Sequence, residues 1–301
     1  MAKFQSLWIG KALSPLEILC IRSFLVHGHE FELYAYEELR GLPEGCTLRD
    51  AGAIQPREQV FRYRDGHGKG SPAGFANLFR YKLLAEKGGW WVDTDVLCLA
   101  SDLPEAEVVF APEEPGRYNV AIMKFPAGHP LMDWLYTTAT TMGRGVLFGQ
   151  TGPDLMTRGI HANGMQHLAS PQDSFYPIHY SQAKQVLDPR ARNTVATSVQ
   201  GATFLHLWNE MLRRMHYAKT VAPPSGSYLR ACFEHHGMIE AFKREYFVTR
   251  RGEKVCLDVR TRRDSAGGAC GRFAGRLGDW ILLHCDPTRK RVRLARTAVE
   301  D

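Results

Sequence analysis

FANLFRYKLLAEKGGWWVDTDVLCL, residues 75–99, is the stretch that decides the fold. Its first half reads as a helix. Asn77, Arg80, Tyr81 and Leu84 fall at i, i+3, i+4 and i+7 and share one face, beside an apolar stripe of Phe75, Leu78, Phe79 and Leu83. Gly88 and Gly89 supply the usual helix stop. WWVDTDVLCL then reads as a strand whose aromatic start is buried, and its two aspartates are out of place there. An unpaired carboxylate is costly to desolvate. Side chains two apart in a strand point the same way, so Asp93 and Asp95 are expected on one face and Thr94 on the other. Two such carboxylates repel unless a cation or proton sits between them. Hard divalent ions such as Mg²⁺ and Mn²⁺ take oxygen ligands and keep positions open for phosphate oxygens. D-T-D is therefore either a metal platform for a diphosphate-bearing substrate or a chance D-x-D, which a chain this long contains about once. Arg80 either reaches a sugar or phosphate or pairs with Asp93 or a surface acid.

Working outward, SLWIG (6–10) and FELYAY (31–36) read as strands on either side of a helix that Ser14 caps and Pro15 begins. A strand–helix–strand opening predicts an α/β fold with parallel pairing. EVVFAPEE (107–114) and NVAIMKF (119–125) read as further strands, and HPLMDWLYTTATTM (129–142) as a helix. Another helix follows TGPD. ATFLHLW (202–208) is a strand leading into the short helix NEMLRRM, and SGSYLRACFEHHG (225–237) is a last helix. From Glu245 the texture changes to two candidate β-hairpins, EYFVTRRGEKVCLDV and DWILLHCDPTRKRVRLAR, joined by the glycine-rich SAGGACGRFAG. The expected organisation is a main domain over 1–244 and a small, basic, β-rich appendage over 245–301.

The bulk numbers bound the function classes. A chain of 301 residues with 44% hydrophobic and 23% charged content is ordinary for a globular protein. No run approaches the ~20 apolar residues of a membrane span. The N-terminus lacks the apolar core of a signal peptide. Seven cysteines without a C-x-x-C pair point to reduced, mostly buried thiols, and so to a cytoplasmic protein. The net charge of +6 is mild, but RTRRDSAGGACGRFAGR and TRKRVRLAR concentrate basic residues near the C-terminus. These fit an anionic membrane or a charged acceptor, with nucleic acid not expected.

The central stretch resembles the sugar-binding, D-x-D-containing region of a family of retaining glycosyltransferases. That family includes bacterial capsule and lipooligosaccharide enzymes, yeast-type α-mannosyltransferases and, more distantly, the glucosylating domains of large clostridial toxins. Arg80, Tyr81, Gly88, Gly89, Asp93 and Asp95 match its pattern. WIG near the start, G-P-x-x-x-T at 152–157 and H-x-W at 206–208 extend the likeness over residues 5–235.

The resemblance implies a GT-A-type nucleotide-sugar-binding fold with a mixed, mostly parallel sheet flanked by helices. It also implies transfer of a hexose, with retention, from a UDP- or GDP-sugar to a glycan or lipid-linked acceptor, using Mn²⁺ or Mg²⁺. Asp95 is the expected direct metal ligand, with Asp93 on the metal or the ribose and sugar. His206 is the expected third ligand, its alternative being a satisfied histidine near the sheet edge. Trp8 is expected to stack on the base, or else to be a core tryptophan. Asn77, Arg80, Tyr81, Trp91, Thr94, Gln150, Asp154 and Ser227 are the remaining donor-site candidates, with Ser225 beside Ser227. One departure stands out: Asn77 occupies the place where the family commonly carries aspartate. An amide can still bond sugar hydroxyls but is no charged acceptor.

Two other readings compete. DGHGKGSP (65–72) mimics a dinucleotide fingerprint, but its spacing is wrong and Pro72 follows, so a mobile loop over the donor site is the better expectation. A non-catalytic protein that binds nucleotide sugars or glycans in the same pocket is the alternative from another class.

Overall fold

A computed structural model describes residues 1–248 and 254–258. The second candidate hairpin, the glycine-rich connector and both basic runs lie outside these residues. Along the chain the elements are β1 (Lys3–Trp8), α1 (Pro15–Val26), β2 (Glu30–Ala35), β3 (Cys46–Asp50) and α2 (Ala73–Lys87). Then come β4 (Gly89–Val92), β5 (Val96–Cys98), β6 (Pro112–Glu114), β7 (Arg117–Tyr118) and β8 (Ile122–Phe125). They are followed by α3 (Pro130–Met142), α4 (Pro153–Ala162), α5 (Gln172–Phe175), α6 (Arg192–Ser198) and β9 (Phe204–His206). The last are α7 (Asn209–Arg214), α8 (Tyr228–His235), β10 (Arg244–Val248) and β11 (Lys254–Asp258).

The chain divides into two compact units. The first, Met1–Tyr180 with Ser198–Trp208, is built on a five-stranded sheet in the order β3-β2-β1-β4-β8. Its first three pairings are parallel and the last, β4 with β8, is antiparallel. Helices flank this mixed, mostly parallel sheet, as the α/β reading expects. The second unit, Ser181–Thr197 and the chain from Asn209, holds α7, α8 and the antiparallel pair β10–β11.

The paired tryptophans show how β4 joins the two faces of the first unit. Successive strand residues point to opposite sides. Trp90 packs with Phe4 and Phe204, ring centroids 5.3 and 6.0 Å away, on the side where Phe24 of α1 lies 4.5 Å from Phe4. Trp91 turns to the other side and meets Phe79 of α2 at 6.3 Å. Helix α1 opens as expected: Glu17 reaches back to the Ser14 backbone N–H at 2.9 Å, closing a capping box.

Helix α2 ends at Gly88, whose φ of +63° suits glycine and whose Cβ would stand 2.4 Å from the Ala127 nitrogen. Neither demand tolerates a side chain. Cys20 and Cys98 are buried, Cys46 and Cys232 partly so, and none of these four is in a disulfide. Among the described residues, no helix is long and apolar enough to cross a membrane.

Candidate metal and donor site

The sequence reading of 90–99 as one strand is corrected by the structure. The strand breaks at the aspartates: β4 ends at Val92, and Asp93–Asp95 form a turn closed by the Val96 N–H on the Asp93 carbonyl at 3.2 Å. The chain then enters β5, which leaves the main sheet and pairs with β9. Alternation along a strand is therefore not what brings the carboxylates together. The turn does so, at the carboxyl end of β4, where ligands of open parallel sheets commonly sit. The Asp93 N–H is fixed by the Ala121 carbonyl at 2.8 Å and the Asp95 carbonyl by the Leu207 N–H at 2.9 Å.

The β5–β9 pairing delivers the third group. His206 stands directly opposite Val96, so its ring lies next to Asp95 despite their distance in sequence. Its Nε2 is 3.2 Å from Asp95 Oδ2. One ligand atom from each of Asp93, Asp95 and His206 falls within 4.8 Å of the others. The imidazole packs tilted against Trp208, 4.0 Å between centroids, with Tyr176 edge-on at 5.9 Å. Its buried Nδ1 has no hydrogen-bond partner among the described residues.

Trp208 itself has a φ of +54°, uncommon for a bulky residue, and its Nε1 donates to the Ile178 carbonyl at 2.7 Å. Burial alone would lower the His206 pKa. The neighbouring Asp95 carboxylate, with Asp93 and Glu113, outweighs it and raises the pKa above the usual histidine value. A cation held between these groups would take the place of that proton.

Asp93 is braced differently. Its Oδ1 accepts from Trp91 Nε1 at 2.8 Å and pairs with Arg80 Nη2 at 3.0 Å. The Arg80 guanidinium lies over the Trp91 ring, 4.9 Å from its centroid, and also donates to the Val120 and Ala76 carbonyls. The ion pair with Asp93, one of the two alternatives for Arg80, is present. The Arg80 side chain is 3% exposed. Burial raises the pKa of Asp93, Arg80 pulls it back down and Asp95 raises it again, the net direction being upward. With Oδ1 engaged, Oδ2 is the atom that can meet a cation or a ribose hydroxyl.

The other candidate residues fall into three groups. Asn77 and Tyr81 converge on one buried residue, Thr151: Asn77 Nδ2 donates to its Oγ1 at 3.1 Å and Tyr81 Oη to its carbonyl at 2.8 Å. Tyr81 and Trp91 are fully buried, so they support Thr151 and Asp93 rather than touch a ligand. Asn77 is buried as well and anchors the T-G-P segment to α2.

Trp8, Thr94, Gln150 and Asp154 retain exposed surface. Trp8 closes β1 on the same sheet edge as the turn, its Nε1 donating to the Ala12 carbonyl at 3.1 Å. Gln150 accepts from the Leu147 N–H at 2.7 Å, and Asp154 pairs with Arg117 at 2.5 Å. Ser227 belongs to the second unit, where its side chain caps α8 by accepting from the Arg230 N–H at 3.2 Å. Ser225 precedes it.

Sequence reasoning passed over Glu113 and Asn119. Buried Glu113 accepts from Arg117 Nε at 2.6 Å and from Asn119 Nδ2. Asn119 Oδ1 in turn takes the Ala121 N–H at 2.7 Å. A polar chain thus runs from Asp154 to the N–H of Ala121, the residue whose carbonyl fixes Asp93. No motif in the sequence marks it.

Residues 124–237 match the family model described as the alpha 1,4-glycosyltransferase conserved region. Over this span the chain is similar to that glycosyltransferase family. The match begins after the D-T-D turn and takes in Gln150, Asp154, His206 and Ser227. Among curated proteins, none matches the chain. Among solved structures, one that it resembles is the PaToxG glycosyltransferase, at 13% identity and TM-score 0.43, over 56% of this chain and 72% of that one. A galactosyltransferase, LgtC, solved with donor and acceptor sugar analogues, is similar at 11% identity and TM-score 0.38, over 68% and 86%. The apo-form glycosyltransferase GlyE of Streptococcus pneumoniae TIGR4 is similar at 11% and 0.33, over 68% and 54%.

Proposed function

We propose that the chain is a metal-dependent hexosyltransferase. In this reading it moves a sugar from a UDP- or GDP-sugar to a glycan or lipid-linked acceptor, with retention of configuration. The observation that carries the proposal is the convergence of Asp93, Asp95 and His206, whose ligand atoms lie within 4.8 Å. Two carboxylates and one imidazole in that span suit Mn²⁺ or Mg²⁺, and three protein ligands leave positions for diphosphate oxygens. When bound, the ion would supply Lewis-acid stabilisation to the leaving nucleoside diphosphate.

The chain's own residues do the rest. Arg80 holds Asp93 in place and offsets its charge. Trp208 and Tyr176 fix the His206 ring. Trp8 offers an indole at the end of β1 for the base, while Thr94, Gln150 and Asp154 remain open to the sugar or the acceptor. Asn77 acts through Thr151. Residues 1–244 would carry the activity and 245–301 would form the appendage. The enzyme would be cytoplasmic and meet its acceptor at the inner face of the membrane.

Donor hydrolysis with Mn²⁺ tests the reading. Asp95→Ala should lower it by about 10²–10³-fold, the usual cost of losing a group that stabilises developing charge. Hydrolysis that survives the change would overturn metal dependence. Nucleotide-sugar binding in a thermal-shift assay, with no hydrolysis by the unaltered chain, would favour the non-catalytic alternative.

A further inference from the structure

Two loops of the first unit meet at a surface that the transferase reading does not use. After α3 stops at Gly143, the chain presents Leu147 and Phe148, which are 53% and 38% exposed. Against them lies the loop 61–71, a hairpin-like turn closed by Gly70 N–H to the Tyr63 carbonyl at 2.9 Å and Tyr63 N–H to the Ser71 carbonyl at 3.0 Å. The two loops are fitted to each other. A Cβ on Gly68 would stand 2.6 Å from the Phe148 ring, whose centroid is 5.8 Å from that of Tyr63. Arg144 reaches across to the Glu58 carbonyl at 3.1 Å, and Arg62 is tied to the Gly70 carbonyl at 2.8 Å.

Basic residues outnumber acidic ones on this surface. Arg62, Arg64, Lys69 and Arg144 are exposed around the apolar tip, against Glu58 and Asp65. The tip is also prepared for an apolar phase. The Leu147 N–H is satisfied within the loop by the Gln150 side chain at 2.7 Å, so inserting Leu147 strands no donor there. Exposed apolar side chains ringed by arginine and lysine match the interface of an anionic bilayer, which takes the former into its acyl boundary and the latter at its headgroups.

We propose that the tip Leu147–Phe148 and the basic loop 62–69 dock the protein on an anionic phospholipid bilayer. Because Thr151 follows this tip and is bonded to Asn77 and Tyr81 of α2, the docked face adjoins the candidate donor site. A lipid-borne acceptor would then arrive where Gln150 and Asp154 stand. Docking itself does not depend on sugar transfer, so it should survive Asp95→Ala, and its failure would leave the transferase reading untouched.

Co-sedimentation of the full chain with vesicles tests this, using phosphatidylcholine alone and phosphatidylcholine mixed with phosphatidylserine. The chain should pellet with the mixed vesicles, not with the neutral ones, and be released by salt. Leu147→Glu and the double change Arg64→Glu with Lys69→Glu should each weaken binding, the latter by about fivefold for each positive charge removed. Both alter exposed positions, and unchanged thermal melts would verify the fold.

Undiminished binding by both variants would overturn the proposal and assign the attraction to the basic C-terminal residues. So would a self-association seen by light scattering and abolished by Leu147→Glu, which would make a second copy the occupant. A failure of the unaltered chain to bind mixed vesicles would overturn it outright.

Discussion

The two aspartates of the D-T-D turn sit one residue apart and live in different environments. Asp93 is held by the helix before it: Arg80 and the Trp91 indole N–H both bind its Oδ1, and its side chain is 28% exposed. Asp95 is met by a strand from far along the chain, through the His206 ring at 3.2 Å. The first arrangement is local and rigid, fixed by a guanidinium that is also bonded to two backbone carbonyls. The second depends on β9 pairing with β5, and its imidazole is held by aromatic packing rather than by a hydrogen bond at Nδ1 to any described residue. The contrast teaches that one carboxylate is placed by the fold, while the other is left facing a group that can exchange a proton for a cation.

Among the groups that brace the two aspartates, the largest expected effect comes from removing the exchangeable partner. His206→Ala removes a direct ligand and should weaken Mn²⁺ binding by at least the roughly 10–100-fold that losing an outer-shell partner of a metal site costs. Calorimetric titration of the metal reads this directly. The thermal melt in the absence of metal should move much less, because Asp95 keeps contact with solvent. A variant that binds Mn²⁺ as tightly as the unaltered chain would remove His206 from the site and return it to a satisfied histidine beside the sheet.

That outcome bears on what was legible beforehand. The helix over 75–87, its glycine stop and the parallel opening were readable because apolar spacing and turn chemistry are local signals, while the mixed, mostly parallel sheet came through the resemblance. The pairing of Asp93 and Asp95 was read correctly, but through the wrong geometry. A strand was expected to align them, whereas the chain turns at Asp93 and changes sheets at Val96. Period-2 reasoning cannot see such a break, since the residues after it, Val96–Cys98, are as strand-like as those before. His206 was reachable only through resemblance, as its approach to Asp95 is a fact of tertiary pairing. Glu113 and Asn119 had no signal at all. Their hydrogen bonds join the hairpin β6–β7 to the Ala121 N–H, and no spacing in the sequence anticipates that.

The second effect, somewhat smaller, falls on the other aspartate and on a different observable. Arg80→Met keeps the packing on Trp91 but strips Asp93 of its counter-charge and takes a donor from the Val120 carbonyl. Breaking a fully buried pair costs several kcal/mol, but water can reach the partly exposed Asp93. The expected loss is therefore about 2 kcal/mol in a denaturant melt. Metal affinity should fall less than in His206→Ala. If the order reverses, with Arg80→Met abolishing Mn²⁺ binding at little cost in stability, Arg80 acts on the bound ligand rather than through Asp93.

The smallest effect concerns Asn77, one turn before Arg80 on the same helix. Its amide donates to Thr151 Oγ1, and a Cβ on Gly152 would stand 3.1 Å from that same amide nitrogen. Asn77→Ala leaves Thr151 Oγ1 buried with one partner fewer, a loss of about 1 kcal/mol. Asn77→Asp should do better than alanine, because the threonine hydroxyl can turn and donate to the carboxylate. That repair brings a third negative charge to the helix face bearing Arg80, which already serves Asp93. Donor KM measured for both variants separates the two meanings of this position. If Asn77 only tethers the T-G-P segment, Asp and Ala should follow stability and leave the preference among nucleotide sugars unchanged. If instead Asn77→Asp shifts that preference while alanine merely weakens it, the amide is read by the sugar. The helix would then be setting specificity through Asn77 as well as rigidity through Arg80.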